Sequence, residues 1–386
     1  MRPIYLDNNA TTQPAPEVLD AMRPFLLERW GNPSSMHTFG GNVAKAVDCA
    51  REKVAALINA DPSEILFTSC GTEANNTAIF GAQEIHGAAM RFVTSRVEHP
   101  SVLAPAQRLR EHGHAVVEIG VDAQGRLDLA ALRQALAGNE PTLLSIMWAN
   151  NETGTLFPLR EVAEIAKAAG AVVHTDAVQA VGKERIDVAK TPVDMLSLSG
   201  HKINAPKGIA ALYIRRGTRL KTWMLGGHQE NGRRGGTENV PYIVALGMAA
   251  EIAAKHMDEE RARLASLRDR LEREILRTCP DSRVNGDIQN RLPNTTNISF
   301  EFIEGEAILY HLSDAGICAS SGSACASGSL EPSHVIRAMG VPFTAAHGSI
   351  RFSLGRFTTD ADIDATLRAL PPVIAKLRAL SPFVDD

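Results

Sequence analysis

Residues 194–202 read DMLSLSGHK, a short run of apolar and small residues that stops at a glycine, a histidine and a lysine. The run has the length of a strand, and its buried character ends abruptly in polar groups. Four other short runs behave the same way. EILFTS (64–69) passes into CGTEANN, RFVTSRV (91–97) into EHPS, TLLSIMWA (142–149) into NNETG, and AVVHTD (171–176) into AVQ. IAALYI (209–214) reads as a further strand. Between them lie helical stretches such as LREVAEIAKAAG (159–170), whose closing Gly170 suits the position just past a helix end. Strands alternating with helices imply an α/β fold built on a mostly parallel sheet. In such sheets ligands sit beyond the carboxyl ends of the strands. Any one polar cluster reads as turn chemistry, but five of them imply one shared pocket.

The rest of the chain fits an ordinary globular protein. Its 386 residues exceed a single typical domain, and 44% of them are hydrophobic against 22% charged. A net charge of -4 gives no electrostatic reason to bind nucleic acid or an anionic membrane. MRPIYLDNNATT carries no apolar segment long enough for a signal peptide, and no apolar run approaches a membrane span. Cysteines at 49, 70, 279, 318 and 325 form no C-x-x-C pair, which fits reduced thiols in a cytoplasmic protein.

An amphipathic stretch at 255–280, ended by Pro280, reads as a bridge to a smaller domain containing the strands TNISFEF (296–302) and GSIRFSL (348–354). The expected division is a large α/β domain over 14–256. The small α+β domain takes 257–386, with residues 1–13 packed against it.

Each strand end offers its own chemistry. Gly71 and Thr72 precede a helix expected to start near Glu73, where backbone N–H groups and the helix dipole suit a phosphate. The plainer reading is a helix cap by Thr72. Asp176 ends an apolar strand, and a protonated pyridine nitrogen would relieve an otherwise unpaired anion. The alternative is an N-cap. Gln179 shares a face with Asp176 if a helix begins there. Lys202, with Ser199 and His201 beside it, is placed to lose a proton and condense with an aldehyde, whereas Lys207 in NAPKG reads as an exposed turn residue. Lysine, carboxylate and phosphate cradle together specify pyridoxal phosphate.

These motifs, with RGGTEN, resemble the pyridoxal-phosphate enzymes of the class V aminotransferase group. YLDNNATT, SSGSACASGSLEPSHVIRAMG and HGSIRFSLGR narrow the resemblance to cysteine desulfurases of the NifS/IscS type, nearest the nitrogen-fixation branch. The match runs from Ile4 past Arg356. It implies a homodimer with the fold of aspartate aminotransferase, a fold-type I pyridoxal-phosphate-dependent transferase.

By the same resemblance, Lys202 holds the cofactor, His99 stacks on its ring and Asp176 pairs with the pyridine nitrogen. Gln179 and Asn151 lie at the phenolic oxygen, Asn151 also near the substrate. Gly71, Thr72, Ser199, Gly200 and His201 bind the phosphate, with Thr237 from the other subunit. Arg351 clamps the substrate carboxylate. Without the resemblance, His99 before proline is a turn residue, Arg351 a surface charge in an alternating strand, and Arg233–Arg234 a solvated pair. Cys70 is expected to be a packed thiol, and His37, His334 and His347 have no assigned role.

The implied reaction converts L-cysteine to L-alanine and leaves the sulfur on an enzyme thiol as a persulfide, for an iron–sulfur scaffold protein. GICASSGSACASGSLEPSH (316–334) holds two candidates. Cys318 ends an apolar approach and suits packing. Cys325 lies in the small-residue run, whose composition gives reach, and is the expected sulfur carrier and transient iron–sulfur ligand. Three alternatives compete. A transaminase of the same fold needs no mobile thiol. A selenocysteine lyase is compatible with the composition. A metal-binding module on Cys318, Cys325 and His334 lacks a fourth ligand.

Overall fold

In the computed structural model, residues 2–321 and 331–381 are described. Twelve strands are present among them. The first eight are β1 (Ile4–Tyr5), β2 (Ile65–Thr68), β3 (Arg91–Ser95), β4 (Val116–Ile119), β5 (Thr142–Ser145), β6 (Val172–Asp176), β7 (Met195–Ser199) and β8 (Ala210–Ile214). The last four are β9 (Ser282–Asn285), β10 (Thr295–Phe300), β11 (Ile317–Cys318) and β12 (Ser349–Ser353).

Seven strands form one sheet in the order β2-β8-β7-β6-β5-β3-β4. Only β8 opposes its neighbours, pairing antiparallel with both β2 and β7. The carboxyl ends of β2, β3, β5, β6 and β7 therefore open on the same side, where the sequence puts its five polar clusters. β2, β5, β7 and β8 are buried along their whole length, as strands covered on both faces must be.

Two differences from the sequence reading have local causes. β4 lies at the sheet edge and is only half-buried except at Ile119, so VVEI carries little strand signal. TLLSIMWA leaves regular pairing after Ser145, yet its backbone still bonds β6 through Ile146 N to His174 O (3.2 Å) and Trp148 N to Asp176 O (2.8 Å).

The bridge helix is longer than expected, Val240–Thr278 rather than 255–280, with Pro241 in its first turn. Its residues from Val240 to Met257 pack in the core around the large sheet. From Leu264 to Ile275 they pack in a second core with Leu6, Ile298, Phe352 and Ile374. That second core covers an antiparallel sheet in the order β12-β10-β9 and the parallel pair β1–β11. The amino-terminal segment thus joins the second core through Ile4 and Leu6, then runs on to the large sheet, where Thr12 N bonds His201 O (2.8 Å).

Candidate active site at the carboxyl ends of the sheet

β7 ends at Ser199, and the tight turn Gly200–Lys202 follows at once. Gly200 has no room for a side chain, since a Cβ there would lie 2.9 Å from Ile209 Cγ2 and 3.0 Å from Ala205 Cβ. Lys202 Nζ donates to the carbonyls of Asn9 and Ala10, the latter at 2.8 Å. Residues 7–12, DNNATT, therefore lie across the lysine. Thr12 Oγ1 donates to His201 O (2.9 Å), and Thr11 Oγ1 lies 3.2 Å from His201 Nδ1. Burial, then the neighbouring Lys202 charge, pushes His201 down to about 4.

β6 delivers Asp176, 6% exposed. Its Oδ2 accepts from Asn75 Nδ2 (2.7 Å) and its Oδ1 from Val178 N (3.0 Å). The second bond makes a turn, not the helix on which a shared face with Asp176 was conditional, so Gln179 reaches the site from the turn Val178–Ala180. Gln179 Nε2 donates to Asn9 O (2.9 Å), and its Oε1 accepts from Lys183 Nζ (3.2 Å). Burial, then Lys202, pushes Lys183 down to about 7.

The helix after β2 starts at Gly71, two residues before the expected Glu73, and Cys70 rather than Thr72 caps it. Cys70 Sγ accepts from Glu73 N (3.4 Å). Cys70 is exposed and lines the cavity, so the packed-thiol expectation fails: a capping side chain at a strand end points out of the core. Arg234, read as solvated, is ion-paired with buried Glu73 (2.8 Å), and Arg233 donates to Ile65 O (3.0 Å).

β3 leads to Glu98 and His99. His99 caps the helix Pro100–Glu111, its Nδ1 accepting from Ser101 N (3.1 Å). β5 leads to a turn in which Asn150 Oδ1 accepts from Glu152 N (2.9 Å) and Thr153 N (3.0 Å), presenting Asn151. β12 places Arg351, 3% exposed. Two of its nitrogens bond Asp7 Oδ1 (2.7 Å) and Asn151 O (3.0 Å), while Nε is buried without a partner among the described residues.

These side chains enclose a cavity of about 480 Å³, within the usual range for small-ligand sites. Gly71, Thr72, His99, Asn151, Asp176, Gln179, Ser199, His201, Lys202 and Arg351 all line it. Gly200 acts only through the backbone turn that carries Lys202. Thr237 is exposed and lines a separate hollow with Glu230 and Arg234, so it does not reach this cavity within its own chain. Cys325 lies outside the described residues, whereas Cys318 is half-buried in β11 opposite Tyr5. His334 lines the cavity at the start of the helix His334–Ala338. His37 instead caps the helix Thr38–Leu57, and His347 packs on Phe343. Among the described residues no group of three or more His, Cys, Asp or Glu is placed to hold a metal ion.

The class-V aminotransferase model matches residues 4–366, nearly the whole chain and both cores. The chain belongs to that family. Within it the relatives are cysteine desulfurases: one from Trichormus azollae is 56% identical over all 386 residues, which span 96% of that protein. NifS of Azotobacter vinelandii is 53% identical over 99% of this chain and 95% of its own. A solved NifS-like protein superposes with a TM-score of 0.92 at 36% identity, covering 98% of this chain and all of that one.

The family's cofactor is pyridoxal 5′-phosphate, and the residues present fit it. Ser199 Oγ is buried with no partner among the described residues, beside the open amino end of the helix Gly71–His86, as a phosphate site requires. A Cβ at Gly71 would sit 3.0 Å from Val178 Cγ2, so glycine keeps that end clear. Asp176 supplies the carboxylate and Lys202 the amine to one cavity.

Several residues that build the site carry no signal of their own in the sequence reading. Asp7 and Asn9 sit in a polar run whose contacts are more than 140 residues away, at Arg351 and Asn151. Asn75 was passed over, although it lies one helical turn beyond Gly71 and so shares its face. Glu98, Ser101 and Lys183 are ordinary neighbours in sequence of residues that were singled out.

Proposed function

We propose that this chain converts L-cysteine to L-alanine with Lys202 as the cofactor-bearing lysine and Cys325 as the thiol that takes the sulfur. One observation carries the reading. The described flanks of the segment holding Cys325 meet residues of the cavity: Ser320 pairs with the backbone of Arg351, itself a lining residue (Ser320 N to Arg351 O, 3.2 Å), and Glu331–His334 form part of the wall.

Bound pyridoxal phosphate supplies the electron sink that makes the substrate α-proton removable. Asp176, fixed by Asn75 and Val178, would set a negative charge toward the ring nitrogen. Ser199, His201 and the Gly71–Thr72 helix end would hold the phosphate, with Thr237 of the partner subunit completing the set in a homodimer. Gln179 and Asn151 would address the phenolic oxygen, and His99 would cover the ring. Arg351, whose Nε has no partner among the described residues, would hold the substrate carboxylate, a task suited to a guanidinium.

The Lys202 amine would take the proton from the substrate Cα and return one to Cα before alanine leaves. The Cys325 thiolate attacks the substrate sulfur; the carbon–sulfur bond breaks, its electron pair stays on Cβ, and a proton there completes the methyl group of alanine. The product on the enzyme is a Cys325 persulfide. Its small-residue surroundings suit delivery to an iron–sulfur scaffold protein, for general assembly or for nitrogenase, with a cluster held transiently on Cys325. We place this chemistry in the cytoplasm; no described helix is long and apolar enough to cross a membrane.

The test uses purified, cofactor-loaded protein given L-cysteine and a dithiol. Lys202→Ala should abolish alanine formation and change the visible absorbance response to cysteine. Cys325→Ala should retain the bound cofactor and lose both alanine and sulfide. Full activity in Cys325→Ala with loss in Cys318→Ala would overturn the thiol assignment.

A further inference from the structure

Behind His99 lies a chain of hydrogen bonds whose directions can be worked out one by one. Ser101 N donates to His99 Nδ1 (3.1 Å), so Nδ1 must carry a lone pair and, in the neutral ring, the proton sits on Nε2. Ser101 Oγ lies 2.7 Å from the same Nδ1. Asn75 Nδ2 donates to Ser101 Oγ (2.8 Å), so this hydroxyl accepts from the amide and turns its own proton to Nδ1. The same Asn75 nitrogen donates to Asp176 Oδ2 (2.7 Å). The Asn75 amide cannot be reversed without setting its oxygen against the Asp176 carboxylate. Asn75 is wholly buried and Ser101 nearly so, and neither bond competes with water.

We propose that Asn75 and Ser101 are positioning residues that lock His99 as the Nε2–H tautomer, so that its neutral ring presents a proton donor, not a base, to the cavity. Nε2 has no protein partner recorded among the described residues, and the ring lines the cavity. Protonating His99 would place a proton on Nδ1, force the Ser101 hydroxyl to turn its own proton away and leave the buried Ser101 N–H unpaired. The lock therefore opposes the imidazolium. Burial, then the Lys202 and His334 charges, opposes it too, against the pull of Asp176. Asn75 is the shared element: one amide orients the carboxylate at the ring nitrogen and, through Ser101, the imidazole. The inference rests on His99 being the residue over the cofactor.

The experiment is 15N NMR of the holoenzyme labelled in histidine, with His99 assigned by its loss in His99→Gln. At pH 7 the wild type should show neutral His99 with the proton on Nε2. Ser101→Ala should move the tautomer ratio about fivefold toward Nδ1–H, the weight of one neutral hydrogen bond. It should also raise the His99 titration midpoint. Ser101→Thr keeps the hydroxyl and should restore the wild-type signal; Asn75→Leu should act in the same direction as Ser101→Ala. An Nδ1–H tautomer or an imidazolium in the wild type at pH 7 overturns the proposal. So does a ratio unchanged in both Ser101→Ala and Asn75→Leu. The signal does not depend on turnover, so a wild type that releases no alanine yet shows the locked tautomer would sink the desulfurase reading alone.

Discussion

Glu98, next to His99 in the chain, offers a quantitative test of how the cavity wall is held together. Its side chain is wholly buried. Oε1 accepts from Ser95 Oγ (2.6 Å) and Met147 N (3.0 Å), while Oε2 has no partner among the described residues. Burial first, with the Asp176 charge adding, pushes the carboxyl from 4.5 up to about 8. Glu98 is then a neutral acid at pH 7, and the sign of its effect follows. A carboxyl whose folded value is raised contributes its full stabilisation below 4.5 and loses it as pH rises through about 8. At about 1.4 kcal/mol per pH unit across that interval, ionising Glu98 costs the folded state about 5 kcal/mol. Glu98→Gln keeps the shape and the Oε1 acceptor but cannot ionise. Urea midpoints of wild type and variant, measured from pH 5 to pH 9, should therefore converge or cross. The wild type should lose at least 2 kcal/mol relative to Glu98→Gln over that range, the remainder being absorbed by water entering the opened wall. Infrared spectra at pH 7 should show a protonated-carboxyl stretch that the variant lacks. A wild-type-to-variant gap constant with pH, together with no such band, would refute the reasoning.

Two other perturbations follow from the same geometry. His174, wholly buried between Ser145 Oγ (2.8 Å) and Ser197 Oγ (3.0 Å), is pushed down by burial to about 4. Its contribution is present above 6.5 and lost as pH falls through 4, so wild type should lose about 3 kcal/mol on acidification that His174→Gln does not, read from denaturation midpoints at pH 7 and pH 4. Arg351→Lys keeps the charge but loses the fork that spans Asp7 and Asn151 O; on the proposed carboxylate role it should raise KM for cysteine by about tenfold or more with a smaller change in kcat, and an unchanged KM would remove Arg351 from substrate binding.

The sequence made the large sheet legible because its strands change character within about three residues. Ser199 is the last buried strand position and Lys202 already lines the cavity. The same abruptness marks Thr68 before Gly71, and Asp176 before Gln179. What stayed hidden depends on pairing across long separations. Asp7 meets Arg351 and Asn9 meets the Lys202 amine, and nothing local to DNNATT announces either partner. The helix Val240–Thr278 was read late because its first half is buried and small-residued, so it lacks the charged face that exposed its second half. Cys70 was misjudged for a related reason: local composition suggests a packed thiol, but capping geometry turns it outward. These failures share one cause with the site itself. Arg351 is held by Asp7 from the amino terminus and by Asn151 from the large sheet, while its own strand β12 pairs with β10 in the small one. A guanidinium placed by three distant parts of the chain keeps its Nε without a partner among the described residues, and that donor is what the proposed carboxylate clamp still has to offer.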